Sequence, residues 1–158
     1  MGRHSTRAAE LSERLAAKAQ AVCRHYLPAG ILGNAVRFGH ADDVMIAGEG
    51  IETMLSLREI LPTMPMAAAT SSAHLAAIMF PPTLQRLYVA RDRDAAGDAA
   101  FGILTDRAQA AGIELMSLMP ELGDFNDDLR EHDASVLGQQ VCLLLHEHDR
   151  TRFFNDTG

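Results

Sequence analysis

Short apolar runs alternate along this chain with longer stretches whose apolar residues have helical spacing. Four runs have the length and composition of buried strands: VMIAG (44–48), MAAAT (66–70), RLYVA (86–90) and IELMSLM (113–119). The helical stretches between them end at proline or glycine, as at Pro62 and Gly112. Strands that alternate with helices indicate βαβ units, so the pattern predicts an α/β fold with a four-stranded, mainly parallel sheet flanked by helices.

The two ends of the chain carry further helical patterns. The apolar stripe of the first runs from Ser5 to Tyr26 and consists of Ala8, Leu11, Leu15, Ala19, Val22 and Tyr26. This N-terminal helix must bury its stripe against the flank of the domain or against a second subunit. Asp133 can cap a last helix that continues to about His148.

These patterns divide the chain into three parts. Residues 1–43 hold the N-terminal helix and a connecting segment, ILGNAVRFGHADD, which is predicted as a loop with room for one short strand. Residues 44–150 form the α/β domain. Residues 151–158 form a C-terminal tail that we expect to be partly loose.

Composition and charge narrow the function classes. No apolar run approaches the roughly 20 residues that cross a bilayer, the start has no signal-peptide core, and the two cysteines are isolated, which predicts a soluble cytoplasmic protein. Residues 1–40 carry six basic and two acidic residues, whereas residues 41–158 carry eight basic and nineteen acidic residues. Because an acidic body repels phosphate, we expect weak binding of nucleic acid, assisted by metal ions, the basic arm or a partner protein.

Acidic residues follow three of the four predicted strands. Glu49 follows the first, Asp92 and Asp94 follow the third, and Asp124 with Asp127 or Asp128 follows the fourth. Since parallel strands end at one edge of a sheet, these groups are expected to converge there. Each group on its own is also typical of a helix N-cap. Crowded carboxylates repel one another unless a cation neutralises them, and hard oxygen ligands suit Mg²⁺ or Mn²⁺.

Small and basic residues flank these acids. Gly48 and Gly50 would let a phosphate-bearing substrate approach the backbone beside Glu49. Arg91 and Arg93 could contact phosphate or pair with local acids, and both alternatives stay open. Two other polar residues are interpreted structurally, Glu52 as part of the first helical turn and Ser71 as a helix cap.

The order of these motifs resembles the Toprim domain, the catalytic domain shared by bacterial primases and topoisomerases. The resemblance covers residues 44 to about 130 and is densest in AGEGIETMLSL, LYVARDRDAAGDAA and GDFNDDL. It is strongest to the primase-type proteins of plasmids, phages and integrative elements, of which this chain looks like an internally shortened relative. The resemblance implies a Rossmann-like fold, Glu49 as general acid or base, Asp92 and Asp94 as Mg²⁺ ligands, and Asp124 with Asp127 or Asp128 supporting a second ion or orienting the first.

Two functions from different classes follow from this resemblance. The first is a Mg²⁺-dependent enzyme of a mobile element that acts on nucleic acid, by primase-like nucleotidyl transfer or by phosphodiester cleavage. The second is a non-catalytic interaction protein or inhibitor that uses the same fold and its acidic surface to bind a nucleoprotein complex, by mimicry of DNA. The N-terminal helix could also join two copies of the chain.

Overall fold

The central strands of the sheet are covered by helices on both faces. The computed structural model describes residues 33–154, so the predicted N-terminal helix lies outside the described residues. The described strands are β1 (Val36–Phe38), β2 (Val44–Gly48), β3 (Met66–Ala68), β4 (Arg86–Ala90) and β5 (Glu114–Leu118). The described helices are α1 (Ile51–Ile60), α2 (Ser72–Ala76), α3 (Ala95–Ala111), α4 (Phe125–Glu131), α5 (Ala134–Leu144) and α6 (Glu147–Phe154).

The sheet has the strand order β1-β3-β2-β4-β5. Strands β2 to β5 are parallel to one another, and β1 pairs antiparallel with β3 at the edge. The α/β class, the parallel sheet and its flanking helices are therefore confirmed. The described sheet has five strands rather than four because the connecting segment supplies β1, which lies before the predicted domain start at residue 44.

Alternate residues of the strands build two separate cores. Ile46 of β2 and Tyr88 of β4 face α1, α4, α5 and α6, where they pack among buried residues such as Leu57. Met45 and Leu87 point to the opposite face and pack against α2 and α3. Every residue of β2 is buried, as expected for a central strand of a parallel sheet. Among residues 33–154 there is no helix with the length and apolarity that a bilayer crossing requires.

The C-terminal region differs from the predicted single helix. α5 begins after its cap Asp133, whose carboxylate accepts a hydrogen bond from the Val136 N–H, but it ends at Leu144 instead of near His148. A separate helix, α6, then includes residues 151–154 of the segment 151–158, which was predicted as a partly loose tail. It is ordered against the domain because Asp149 and Phe153 are buried. The sequence pattern also missed α4, which is only seven residues long.

A buried carboxylate fastens α6 to the sheet. Asp149, of which 1% is exposed, accepts hydrogen bonds from the Tyr88 hydroxyl at 2.6 Å and from the Arg86 guanidinium at 2.7 Å. The Tyr88 hydroxyl in turn accepts the backbone N–H of His146 at 2.9 Å. Burial, together with the neighbouring Asp149 carboxylate, raises the pKa of Tyr88. The hydroxyl therefore stays protonated and remains a donor to Asp149.

This network yields the first prediction. Asp149→Ala should lower the free energy of unfolding by about 3 kcal/mol, because it removes the acceptor of the buried Tyr88 hydroxyl and one of the two carboxylates that pair with the partly buried Arg86. The matched control is Glu114→Ala, which removes the other carboxylate that pairs with Arg86, at 2.7 Å and 51% exposed. It should cost less than about 1 kcal/mol. Urea unfolding measures both values, and equal losses would contradict the assignment of α6 to the core.

Candidate functional site

A cleft opens where the chain leaves the two central strands. After β2 the chain passes through α1 on one face of the sheet toward β3, and after β4 it passes through α3 on the other face toward β5. Connections that diverge in this way leave a crevice at the carboxyl ends of the strands, which is where open α/β sheets bind ligands. The cleft has a volume of about 360 Å³ and is lined by Glu49, Gly50, Ile51, Glu52, Thr53, Thr70, Asp92 and Asp124.

Asp92 has the most perturbed environment in the cleft. Burial is the largest of the causes that raise its pKa to about 6, and the negative charges of Asp124, Glu49 and Asp94 contribute to this rise in that order. Its Oδ1 atom is buried without a hydrogen-bond partner among the described residues. The three acidic segments that the sequence pattern identified are therefore close enough to act on one carboxylate.

Asp94 and Asp124 each cap the helix that follows them. Asp94 Oδ1 accepts the Gly97 N–H at 2.7 Å at the start of α3, and Asp124 Oδ1 accepts the Asp127 N–H at 2.8 Å at the start of α4. Both backbones are extended at the cap, as an N-cap requires. The capping interpretation of these acids is thus correct in part, and it leaves their second carboxylate oxygens to face other groups.

The arginines between the aspartates hold the loops of the cleft together. The Arg93 N–H donates to Gly123 O at 3.1 Å, and its Nε donates to Pro120 O at 2.8 Å. The Arg91 guanidinium forms an ion pair with Asp98 and lies 4.4 Å from the centroid of the Phe101 ring. Neither arginine belongs to the cleft lining. Of the two alternatives left open for them, the described contacts favour pairing with local groups of the protein.

The two aspartates at the start of α4 have different surroundings. Asp128 is buried, and its two oxygens accept the backbone N–H groups of Glu121 and Leu122 at 2.8 Å each. It closes the loop that carries Asp124. Asp127 is exposed and does not line the cleft, although it lies one turn from it. A buried carboxylate with both oxygens occupied is a structural group, so Asp127 is the one of the pair that remains free for other contacts.

Glycine permits close packing at two positions around the site. A Cβ on Gly48 would lie 2.5 Å from Met54 Cε and 3.1 Å from Ala90 O, so this glycine allows β2 to approach α1 and β4. A Cβ on Gly97 would lie 2.8 Å from Asp92 O, so that glycine allows α3 to start directly beside the Asp92 backbone. Gly50 does line the cleft, as the substrate-approach prediction requires, whereas Gly48 is buried beneath it.

Sequence reasoning missed two threonines of the cleft. Thr53 is buried in the first turn of α1, and Thr70 follows β3 with a φ of 68°. That left-handed conformation is strained for a β-branched residue and is held by the hydrogen bond from the Thr70 N–H to Glu49 O at 2.8 Å. Position 70 could have been found from its place at the carboxyl end of a parallel strand. Ser71 caps α2 as predicted, by accepting the His74 N–H.

The donor set of the cleft suits a hard divalent cation. Its carboxylates offer oxygen ligands, and the Asp92 Oδ1 has no partner within the described chain, as expected for an atom whose partner is an ion or water. Among residues 33–154, however, no three His, Cys, Asp or Glu side chains stand close enough together to form a ready metal site. A Mg²⁺ ion held by Asp92 and a neighbouring carboxylate would therefore have to complete its coordination with water or with substrate oxygens.

Comparison with known proteins identifies a family and solved structures to which this chain is similar. A family described as the Toprim domain matches residues 44–135. No curated protein gives a significant match. Among solved structures, the chain is similar to the primase fragment of the primase-helicase protein of bacteriophage T7, with 21% sequence identity and a TM-score of 0.45. The match covers 64% of this chain and 44% of that fragment, so this chain spans less than half of the fragment's length.

The raised pKa of Asp92 generates the second prediction. Its folded-state pKa of about 6 exceeds the ordinary value of 3.8, so the folded protein binds more protons than the unfolded chain between these pH values. The contribution of Asp92 to stability therefore falls as pH rises through this window, and the loss persists above it. Asp92→Asn should raise the free energy of unfolding at pH 7 by about 1 kcal/mol after allowance for screening by solvent.

The measurement is urea unfolding in EDTA at pH 7 and at about pH 4, where the gain should be small because Asp92 is largely protonated in the folded protein. The control is Asp106→Asn, which removes an exposed carboxylate of α3 and should change stability little at either pH. A gain of equal size at both pH values would contradict the shift.

Proposed function

This chain belongs to the Toprim domain family, and from that premise we propose that it acts on nucleic acid as a Mg²⁺-dependent enzyme. The reaction is primase-like nucleotidyl transfer or phosphodiester cleavage, both of which need a general acid or base beside a polarised phosphate. The size of the cleft, about 360 Å³, suits a nucleotide or a strand end better than a long duplex.

The proposal assigns each acidic residue a role. Glu49 acts as general acid or base toward an oxygen of the nucleotide or nucleic acid, because it lines the cleft and follows the strand that neighbours β4. Asp92 and Asp94 hold Mg²⁺, and Asp124 and Asp127 support this ion or a second one. When bound, the ion would polarise the phosphoryl group and neutralise developing charge. Gly50 leaves room for the substrate backbone beside Glu49.

The observation that supports this proposal most directly is the state of Asp92. A half-buried carboxylate whose Oδ1 lacks a partner, surrounded by three further carboxylates, is destabilising for the protein alone. Such an arrangement is typical of sites whose purpose is chemical rather than structural. Asp94, Asp124 and Asp128 each have a structural hydrogen bond that explains their presence, whereas nothing in the described chain satisfies Asp92 Oδ1.

A non-catalytic interaction protein is the second candidate. Residues 33–154 carry eighteen acidic and nine basic residues, an excess that would let this surface imitate the charge of DNA toward a nucleoprotein complex. For the enzyme, we also propose that the chain originates from a mobile element and that a partner protein delivers its nucleic-acid substrate. Both proposals rest on the resemblance to the primase-type Toprim proteins.

The third prediction separates the two candidates. The protein is incubated with Mg²⁺ or Mn²⁺, nucleotides and single-stranded or nicked DNA, and extension and cleavage products are measured. Glu49→Gln should reduce product formation about 10²- to 10⁴-fold, because it removes the group that transfers the proton. Glu131→Gln, an exposed control on α4, should leave the rate unchanged. Absence of product from the wild type under all these conditions would reject the enzyme and favour the interaction protein.

The fourth prediction concerns affinity for DNA. Because few basic groups face the phosphates, the dissociation constant for random DNA should be about 1 µM or weaker at physiological salt, with a shallow dependence on salt concentration. Mg²⁺ should improve binding, and EDTA should nearly abolish it. Fluorescence anisotropy at matched ionic strength, with and without Mg²⁺, measures both effects. Tight binding in EDTA with a steep salt dependence would contradict the proposed role of the metal site.

A further inference from the structure

The N-terminal part of the chain meets the described domain on the α2 and α3 face of the sheet. Gly33 is buried, and a Cβ at this position would clash with the carbonyl oxygen of Ala77, the residue that follows α2. Ala35 packs against the core between the sheet and these two helices. The Arg37 guanidinium donates a hydrogen bond to Met79 O at 3.0 Å. The chain therefore enters β1 beside the end of α2.

The predicted N-terminal helix, residues 5–26, is tied closely to this entry point. Only residues 27–32 separate it from Gly33, and six residues span at most about 20 Å when fully extended. A tether of this length holds the segment at an effective concentration in the millimolar range beside the α2 and α3 face. The concavity between α1, α5 and α6 lies on the opposite face of the sheet. The connection therefore favours packing on the face where the segment enters.

Two large apolar side chains are exposed on this face. Met79 is 57% exposed, and Ile103 of α3 is 50% exposed. The Arg107 guanidinium, one helical turn after Ile103, donates to Ala76 O and Ile78 O at the end of α2. Ile103 is therefore on the side of α3 that faces α2, near the segment that carries Met79. Two exposed alanines share this side of α3, and we call the resulting surface of Met79, Ala99, Ile103 and Ala110 the α2–α3 surface.

The pattern of residues 5–26 complements the α2–α3 surface. Their apolar stripe has the spacing of a helix that buries one face, and 22 residues would form a helix about 33 Å long, somewhat longer than α3 at about 26 Å. Arg7, Arg14 and Lys18 border the stripe on one side. Because residues 33–154 carry eighteen acidic and nine basic residues, this basic border and the domain are complementary in charge.

We propose that residues 5–26 form a helix that packs on the α2–α3 surface of the same chain, with the stripe around Leu11 and Leu15 covering Met79 and Ile103. The occupant is thus the chain's own N-terminal segment, and the same helix from a second copy is the alternative that the experiment excludes. The proposal does not rest on the proposed function, because no residue of the α2–α3 surface lines the cleft.

Protection of a thiol at position 103 tests the proposal. The full-length protein with Ile103→Cys is labelled with N-ethylmaleimide, and peptide mass spectrometry follows each thiol separately. The new thiol should react at least about tenfold more slowly than in the same protein with Leu11→Glu and Leu15→Glu, the ratio for a docking free energy of about 1.4 kcal/mol. The matched control Ala17→Glu places a carboxylate on the opposite side of the predicted helix and should keep the slow rate.

Cys142 serves as an internal control because it lines the concavity on the opposite face of the sheet. Its labelling rate should be the same in all three proteins, and the slow rate at position 103 should persist on dilution in a species of monomer mass. Equal rates at position 103 in all folded variants would overturn the proposal. Protection of Cys142 in place of position 103, or protection at position 103 that is lost on dilution, would also overturn it, the latter in favour of a second copy.

Trypsin provides a second readout that leaves the N-terminal segment unchanged. Cleavage after Arg14 and Lys18 should be at least about tenfold slower in the wild type than in Ile103→Glu, because a carboxylate at position 103 opposes packing of the stripe. The matched control Gln109→Glu adds a carboxylate on another exposed side of α3 and should keep the slow cleavage. Circular dichroism checks that each variant is folded. Equal cleavage rates in the wild type and both folded variants would contradict docking on this surface.

Discussion

Repulsion between like charges is the constraint around which this domain is arranged. Four carboxylates meet where β2, β4 and β5 end, and the charges of three of them raise the pKa of the fourth, Asp92. Left to themselves, loops that carry such groups would separate to reach water. Two of the four, Asp94 and Asp124, are held in place because they also cap α3 and α4. The nearby Asp128, which is not one of the four, binds the backbone of the loop that carries Asp124.

The same loops are joined by groups that carry no negative charge. The backbone N–H and the Nε of Arg93 both donate to carbonyl oxygens of the loop after β5, and the Arg91 N–H donates to Leu118 O. Gly97 permits the tight start of α3 that brings Asp92 and Asp94 to this edge. The positions of the acids are therefore fixed by backbone contacts, which do not depend on whether the carboxylates are protonated.

The sequence predicted most of the strands and helices, but fewer of the elements and contacts that depend on tertiary structure. The apolar runs at β2 and β4 match the observed strands residue for residue, because strands buried on both faces leave a strong signal. The resemblance to the Toprim domain is confirmed by the family match. The helices α4 and α6 were missed because they are short, polar and acidic at their starts, and their order comes from tertiary contacts of Phe125, Asp149 and Phe153. Such contacts leave no periodic pattern.

Within the cleft, the residue types predicted which side chains lie close together, but not the structural role of each side chain. Glu49, Gly50, Asp92 and Asp124 do line one cavity, as expected for residues that follow neighbouring parallel strands. No pattern could reveal that Gly48 serves packing against Met54, that Arg91 lies on Phe101, or that Thr70 adopts a left-handed backbone. Those facts arise from the three-dimensional approach of segments far apart in sequence.

The different structural roles of the aspartates have a consequence for how the domain can evolve. Asp94 and Asp124 hold helix termini, so selection for a stable fold alone preserves them even in a lineage that has given up its chemistry. Asp92 has no such structural role, and burial together with the neighbouring carboxylates raises its pKa, which makes its charged form unfavourable for the fold. A descendant that kept only a binding role would lose Asp92 first while its other acidic motifs stayed intact. Under the proposed function, the identity of this one residue is thus a sharper marker of the reaction than the whole acidic pattern around it.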